Sequence, residues 1–166
     1  GSFPITVAVI AGMTWNTSPW DNPSRKNFYT SKLAYYFQAI LGRKFSEGFS
    51  LQFSSILVHN NLVPVHTRSN DIYALGVGAR IKLTKRVAIT GDYFYNFNGL
   101  EENVNYNPLS VGFDIETGGH VFQLHFSNAV GMNERALINE TTNSWAKKQI
   151  RFGFNLSRVF QVKKKR

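Results

Sequence analysis

The chain has 166 residues, enough for one domain with a sizeable core, and no cysteine, which excludes a disulfide framework or a thiolate metal site. A formal charge of +9 raises nucleic acid as a partner, but part of it is the terminal run Lys163 to Arg166 and the rest is scattered without a nucleic-acid-binding motif. No apolar run approaches the ~18–20 residues of a spanning helix, which excludes a helical membrane protein and leaves open a barrel, whose alternating strands escape a hydropathy scan.

In chain order, a period-two pattern marks eight segments, at roughly 3–15, 28–45, 48–60, 71–84, 86–98, 108–117, 120–129 and 148–161. Fourteen Phe and seven Tyr suit strands. The pattern is clearest in DIYALGVGARIKLTKRVAITGDYFYNF (71–97), where Tyr73, Leu75, Val77, Ile81, Ile89, Tyr93 and Tyr95 oppose Ala74, Gly76, Gly78, Arg80, Lys82, Thr90 and Asp92. The first segment offers Val7, Val9, Met13 and Trp15 on its apolar face, the second Tyr35, Phe37 and Leu41, the third Phe49, Leu51 and Phe53. The sixth offers Val111 and Phe113; in the last two the apolar parity moves to even numbers, at Phe122, Leu124, Phe126, Phe152, Phe154 and Leu156. Helical spacing is weak, apart from NERALIN (133–139), where Asn133 could cap a single turn, a plain loop being the equal alternative.

Connections alternate in length. Short ones fall near Phe45–Gly48, Thr84–Arg86 and Thr117–Gly119; long ones are TSPWDNPSRK, NLVPVHTRSN, GLEENVNYN and AVGMNERALINETTNSWAKK. In an up-and-down meander all short turns then lie at one end and all long loops at the other, as in outer-membrane barrels.

Alternation alone fits two architectures: a soluble lipocalin-like ligand-binding barrel with its apolar face inside, or a membrane barrel with that face outside. The polar face is rich in Gly12, Gly42, Gly76, Gly78, Gly112 and Gly153, which weaken a solvent-facing strand but leave room inside a narrow lumen. It also carries Lys32, Arg80, Lys82 and Arg151 against Asp92, Asp114 and Glu116, with His125 between them, a set suited to mutual pairing in a lumen. On the apolar face, ionisable residues (Arg43, His59, Asp71, Arg158) stay near strand ends, where a charge facing lipid costs least. Aromatics gather there too: Trp15, Tyr29, Tyr73, Tyr95 and Phe97 by the long loops, Phe3, Phe45, Phe49 and Phe160 by the short turns, a double girdle. The expectation is therefore an all-β, antiparallel, up-and-down transmembrane barrel of eight strands, one domain over residues 1–166 with a basic tail at 162–166.

Three stretches, YYFQAILGRKFSEGFSLQFSSILVHNNLV (35–63), GFDIETGGHVFQLHFSN (112–128) and IRFGFNLSRVF (150–160), resemble an uncharacterised outer-membrane β-barrel family of Bacteroidota-type bacteria. The resemblance implies export and outer-membrane insertion, and no reaction. Members of that family are longer, with strands before the equivalent of Phe3. The expectation is thus either closure with eight strands, which leaves a lumen filled by side chains, or a part of a larger barrel with a polar passage.

Catalysis at the outer rim would draw on His59, His66, Ser69 and Asp71, but no hydrolase motif surrounds any serine, and the expectation is no enzyme. The histidines lack metal-ligand spacing, and no cofactor is expected. Trp20, Tyr106 and Trp145, among Pro, Asn and charged residues, are candidates for loop contact with a partner. Expected partners are membrane lipid, with lipopolysaccharide or another outer-membrane protein at the loops, and not nucleic acid. The role is structural or interaction-based, with passage of small solutes as the alternative.

Overall fold

A computed structural model describes residues 4–20, 22–63, 69–98, 100 and 104–158. Phe3, Phe160, His66 and the basic tail lie outside them. Strands β1 (Thr6–Trp15), β2 (Leu33–Lys44), β3 (Phe49–Asn60), β4 (Asp71–Lys82), β5 (Val87–Asn96), β6 (Leu109–Thr117), β7 (His120–Ser127) and β8 (Arg151–Arg158) form one sheet in sequence order, each antiparallel to the next. The sheet curls into a half-barrel; β1 and β8 are its two edges, and among the described residues no ladder joins them.

The short turns are built by local chemistry. Phe45 N and Ser46 N both donate to Phe49 O, and the Thr84 hydroxyl accepts from the backbone of Arg86 and Val87. Between β6 and β7, where Thr117 pairs with His120, Gly118 takes φ 62°, the left-handed conformation a two-residue hairpin needs.

The convex face is the apolar one. Val9 is 74% exposed, and Phe37, Phe53, Tyr73, Leu75, Phe113, Phe126, Phe152 and Phe154 stand out on the same side. Their neighbours in sequence, Gln38, Ser54, Ala74, Gly76, Gly112 and Asp114, are buried in the concavity. An apolar surface continuous over eight strands is untenable in water, whereas hydrocarbon solvates it at no cost. The soluble barrel, which would place these side chains inside, is thereby excluded.

Glycines shape the concave face by facing large side chains across the ladder. Gly12 pairs with Tyr36, Gly76 with Phe94, Gly78 with Gln52 and Gly153 with His125. A Cβ at Gly76 would run into the Phe94 ring, and one at Gly153 into the His125 ring. Each big side chain lies flat over a missing one, so the layer stays thin.

Gly42 is the contrast: a Cβ there would meet nothing nearer than Thr6 O at 4.0 Å. Gly76→Ala is therefore expected to destabilise the sheet by ~1–3 kcal/mol, because Phe94 must leave its place. Gly42→Ala should stay within ~0.5 kcal/mol of the parent. Urea unfolding in lipid vesicles, followed by the heat-dependent shift in gel mobility, measures both.

Candidate functional site

The concave face divides into two halves. Towards the short turns it is a polar cavity of about 480 Å³, lined among others by Lys44, Ser50, Gln52, Arg80, Asp92 and Asp114. Arg80, carried by β4, holds the carboxylates of two residues on β6: its Nε donates to Asp114 Oδ2 at 2.9 Å and its Nη2 to Glu116 Oε1 at 3.1 Å. The other oxygen of Asp114 accepts from Gln123 Nε2 on β7 at 3.1 Å. Asp114 is buried, and donors from two other strands satisfy it, which is what a carboxylate in a poorly hydrated site requires.

The remaining residues expected in the polar network are placed separately. Asp92 faces Ser110, its register partner on β6, and lines the polar cavity. His125 sits over Gly153. Lys82 ends β4 next to the β2–β3 turn, where its charge acts on Glu47. Arg151 is exposed at the start of the edge strand β8. Lys32 belongs to a 3₁₀ turn (Tyr29–Lys32) ahead of β2; its ammonium stands over the Trp20 ring at 4.2 Å and donates to Ser18 O. It ties down its own loop, one residue ahead of the strand that the alternation assigns it to.

Towards the long loops the concave face is apolar. Ile56, Val58, Ile72, Ala74 and Phe94 form a buried cluster on β3, β4 and β5. The 128–150 connection folds back over it. Its helix α1 (Glu134–Asn139) is capped by Asn133, whose side chain accepts from Ala136 N at 2.9 Å, and it sets Ile138, 1% exposed, into the cluster. This helix is a plug in the mouth.

Asparagines fasten it. Asn60 Oδ1 accepts from Arg135 Nε at 3.2 Å and from Asn139 Nδ2 at 3.0 Å. Asn96 donates to Ile138 O, Asn105 to Asn139 O, and Asn128 to both Asn107 O and Asn143 O. A primary amide offers donor and acceptor together, so it can terminate a strand and a loop at once without carrying charge into the site.

The three loop aromatics are engaged within the protein, Trp145 and Tyr106 beside the plug and Trp20 in its own loop. Trp145 Nε1 donates to Leu109 O at 2.8 Å, the Tyr106 hydroxyl accepts from Lys147 Nζ at 2.7 Å, and Trp20 is held by Lys32. Apolar side chains that do face outwards at this end include Phe28, Val130 and Met132, the last 99% exposed. The girdle residues Trp15, Tyr29, Phe45, Tyr73, Tyr95 and Phe97 are all exposed on the convex side or at its rims.

At the long-loop rim His59 Nδ1 meets Asp71 Oδ1 at 2.6 Å across the β3–β4 ladder, with Tyr35 stacked on the imidazole. Ser69 turns away from them: its hydroxyl donates to Asp71 O and accepts from Asp71 N. Its proton is committed to the backbone, so these groups do not form a nucleophile–base pair.

Sequence reasoning offered NERALIN as a single turn capped by Asn133, and α1 forms there; it did not single out the helix as a plug or the cluster beneath it, although a signal was present. Ile56, Val58, Ile72 and Phe94 break the polar parity of their strands near the long-loop ends, and such a patch needs an apolar cover.

Replacing Arg80 with Met should destabilise the protein by ~2–4 kcal/mol, since it strands the buried charge of Asp114. The double change with Asp114→Leu should recover a large part of that loss. Asn60→Leu should loosen the plug without unfolding the sheet, giving faster protease cleavage within residues 129–143 while strand fragments stay protected.

No curated protein and no solved structure matches the chain. A family model described as a membrane-bound β-barrel domain matches residues 1–160, nearly the whole chain, in agreement with the outward apolar face and the meander of antiparallel strands. The chain belongs to this family of membrane-bound β-barrel domains, designated DUF5777.

Proposed function

We propose that the protein is a non-enzymatic barrel of the bacterial outer membrane whose long-loop end is an interaction surface over a plugged mouth. The observation that carries this reading is the packing of Ile138 among Ile56, Val58, Ile72, Ala74 and Phe94. A connection spent on filling the concavity obstructs passage, and its fixed loops give a preorganised platform for a partner. Phe28, Val130 and Met132 supply that platform's apolar contacts, facing lipopolysaccharide or a second outer-membrane protein. The alternation of short turns and long loops supports the outer membrane, and the three quoted stretches support a Bacteroidota-type source. The engaged Ser69 supports the absence of a hydrolytic role.

The alternative is small-solute passage. Its support is the polar cavity of about 480 Å³ in the half that the plug leaves uncovered. Planar-bilayer recording separates the two. The intact protein should give a silent membrane, and deletion of residues 131–142 should produce stepwise current. Current from the intact protein would select passage and overturn the plugged platform.

A further inference from the structure

The short-turn rim holds more positive charge than its carboxylates neutralise. Lys82 N donates to Gly48 O, so the β2–β3 and β4–β5 hairpin tips stand side by side; Glu116 N donates to Arg86 O, which brings the end of β6 against them. Among the described residues two carboxylates stand at the turns themselves, with Asp92 and Asp114 deeper in the cavity, and both of those at the turns are taken. Glu47 binds Lys44 at 2.8 Å, and that hydrogen bond holds its carboxyl below the usual range. Glu116 binds Arg80 at 3.1 Å. Arg43, Lys85 and Arg86 are exposed and have no carboxylate partner among the described residues.

Arg43 shows the direction of this charge. It lies on the convex, lipid-facing parity of β2, with its guanidinium over the exposed Phe45 ring at 4.9 Å. An arginine on a lipid face, stacked on a girdle aromatic, keeps its stem in hydrocarbon and its head at the level of the lipid phosphates. At the long-loop end Arg135 is paired with Glu140, while Lys147 meets Tyr106 and Lys32 meets Ser18 and Trp20.

We infer that Arg43, Lys85 and Arg86 form a binding rim for anionic phospholipid headgroups in the leaflet that surrounds the short turns. The phosphates supply the counter-charge that the chain withholds, and fix the barrel's depth at that interface. The inference rests on the membrane assignment alone and is independent of what the long loops contact.

The test is reconstitution in vesicles of phosphatidylcholine containing a minor fraction of spin-labelled phosphatidylglycerol, with the motionally restricted part of the label's electron paramagnetic resonance spectrum reporting lipid in the first shell. The intact protein should enrich phosphatidylglycerol about fivefold or more over the bulk at low salt, with the excess falling away near ~0.5 M salt as the Debye length shrinks. The triple variant Arg43→Gln, Lys85→Gln, Arg86→Gln should lose the enrichment, and Arg25→Gln with Lys148→Gln at the other end should keep it. Absence of enrichment in the intact protein, or its persistence in a triple variant that retains its gel shift, overturns the proposal. So does its loss in the control. Should the triple variant fail to fold, the salt series on the intact protein decides: salt-insensitive enrichment is equally fatal.

Discussion

The direction of the side chains depends on one constraint: hydrocarbon accepts no unpaired polar group, so whatever is polar must be paired or turned away from it. Antiparallel ladders satisfy the backbone along seven strand pairs, from β1–β2 to β7–β8. Period-two geometry then sends every second side chain outwards, where apolar side chains stand at depth with a few small ones, such as Ala39 and Ser55, among them. The remaining half must fit a concavity, and the glycines follow from that. Tyr36, Phe94 and His125 can lie flat because Gly12, Gly76 and Gly153 stand across the ladder from them.

The same constraint explains why charge occurs inside at all. Arg80 serves two carboxylates at once, and Asp114 is satisfied by an arginine and a glutamine from different strands. A network closed in this way ties β4, β6 and β7 together across the curve of the sheet, which the ladders, joining only neighbours, cannot do. Its contribution is to curvature and register as much as to stability, since a slip of one residue would carry Arg80 to the lipid side. The apolar cluster under α1 does comparable work at the other end, and needs the helix because a greasy patch in a polar concavity has no lipid to meet.

Strand positions were legible from sequence because alternation is a strong local signal, and all eight segments correspond to strands with ends shifted by a few residues. The orientation was legible from the glycines and from the placement of Arg43 and Arg158 near strand ends. What the loops do was not. Trp145 and Tyr106 have the composition of a contact surface, yet their polar atoms are bound to Leu109 and Lys147. Loop chemistry has no period, so a tryptophan that seals a mouth and one that greets a partner look alike in sequence. The asparagines are harder still, because Asn60 and Asn128 matter through partners far along the chain, and nothing local announces those partners.

The edges of the sheet carry the constraint to its last consequence. β1 and β8 each present a row of backbone donors and acceptors, and residues such as Ala8 and Asn155 are exposed on the side that the inner strands bury. In hydrocarbon each orphaned group costs several kcal/mol, so no open edge survives there. β1 runs from the short-turn end to the long-loop end and β8 runs back, which makes the two edges antiparallel to each other. They can therefore accept one another, or an even number of strands between them, without breaking the meander. Width decides what that closure means for the interior. Eight strands drawn together would press Arg80, Gln52 and Tyr36 into a solid core, whereas a wider ring would keep the polar cavity and leave α1, packed on β2 and β3, as a cover on one side of the mouth.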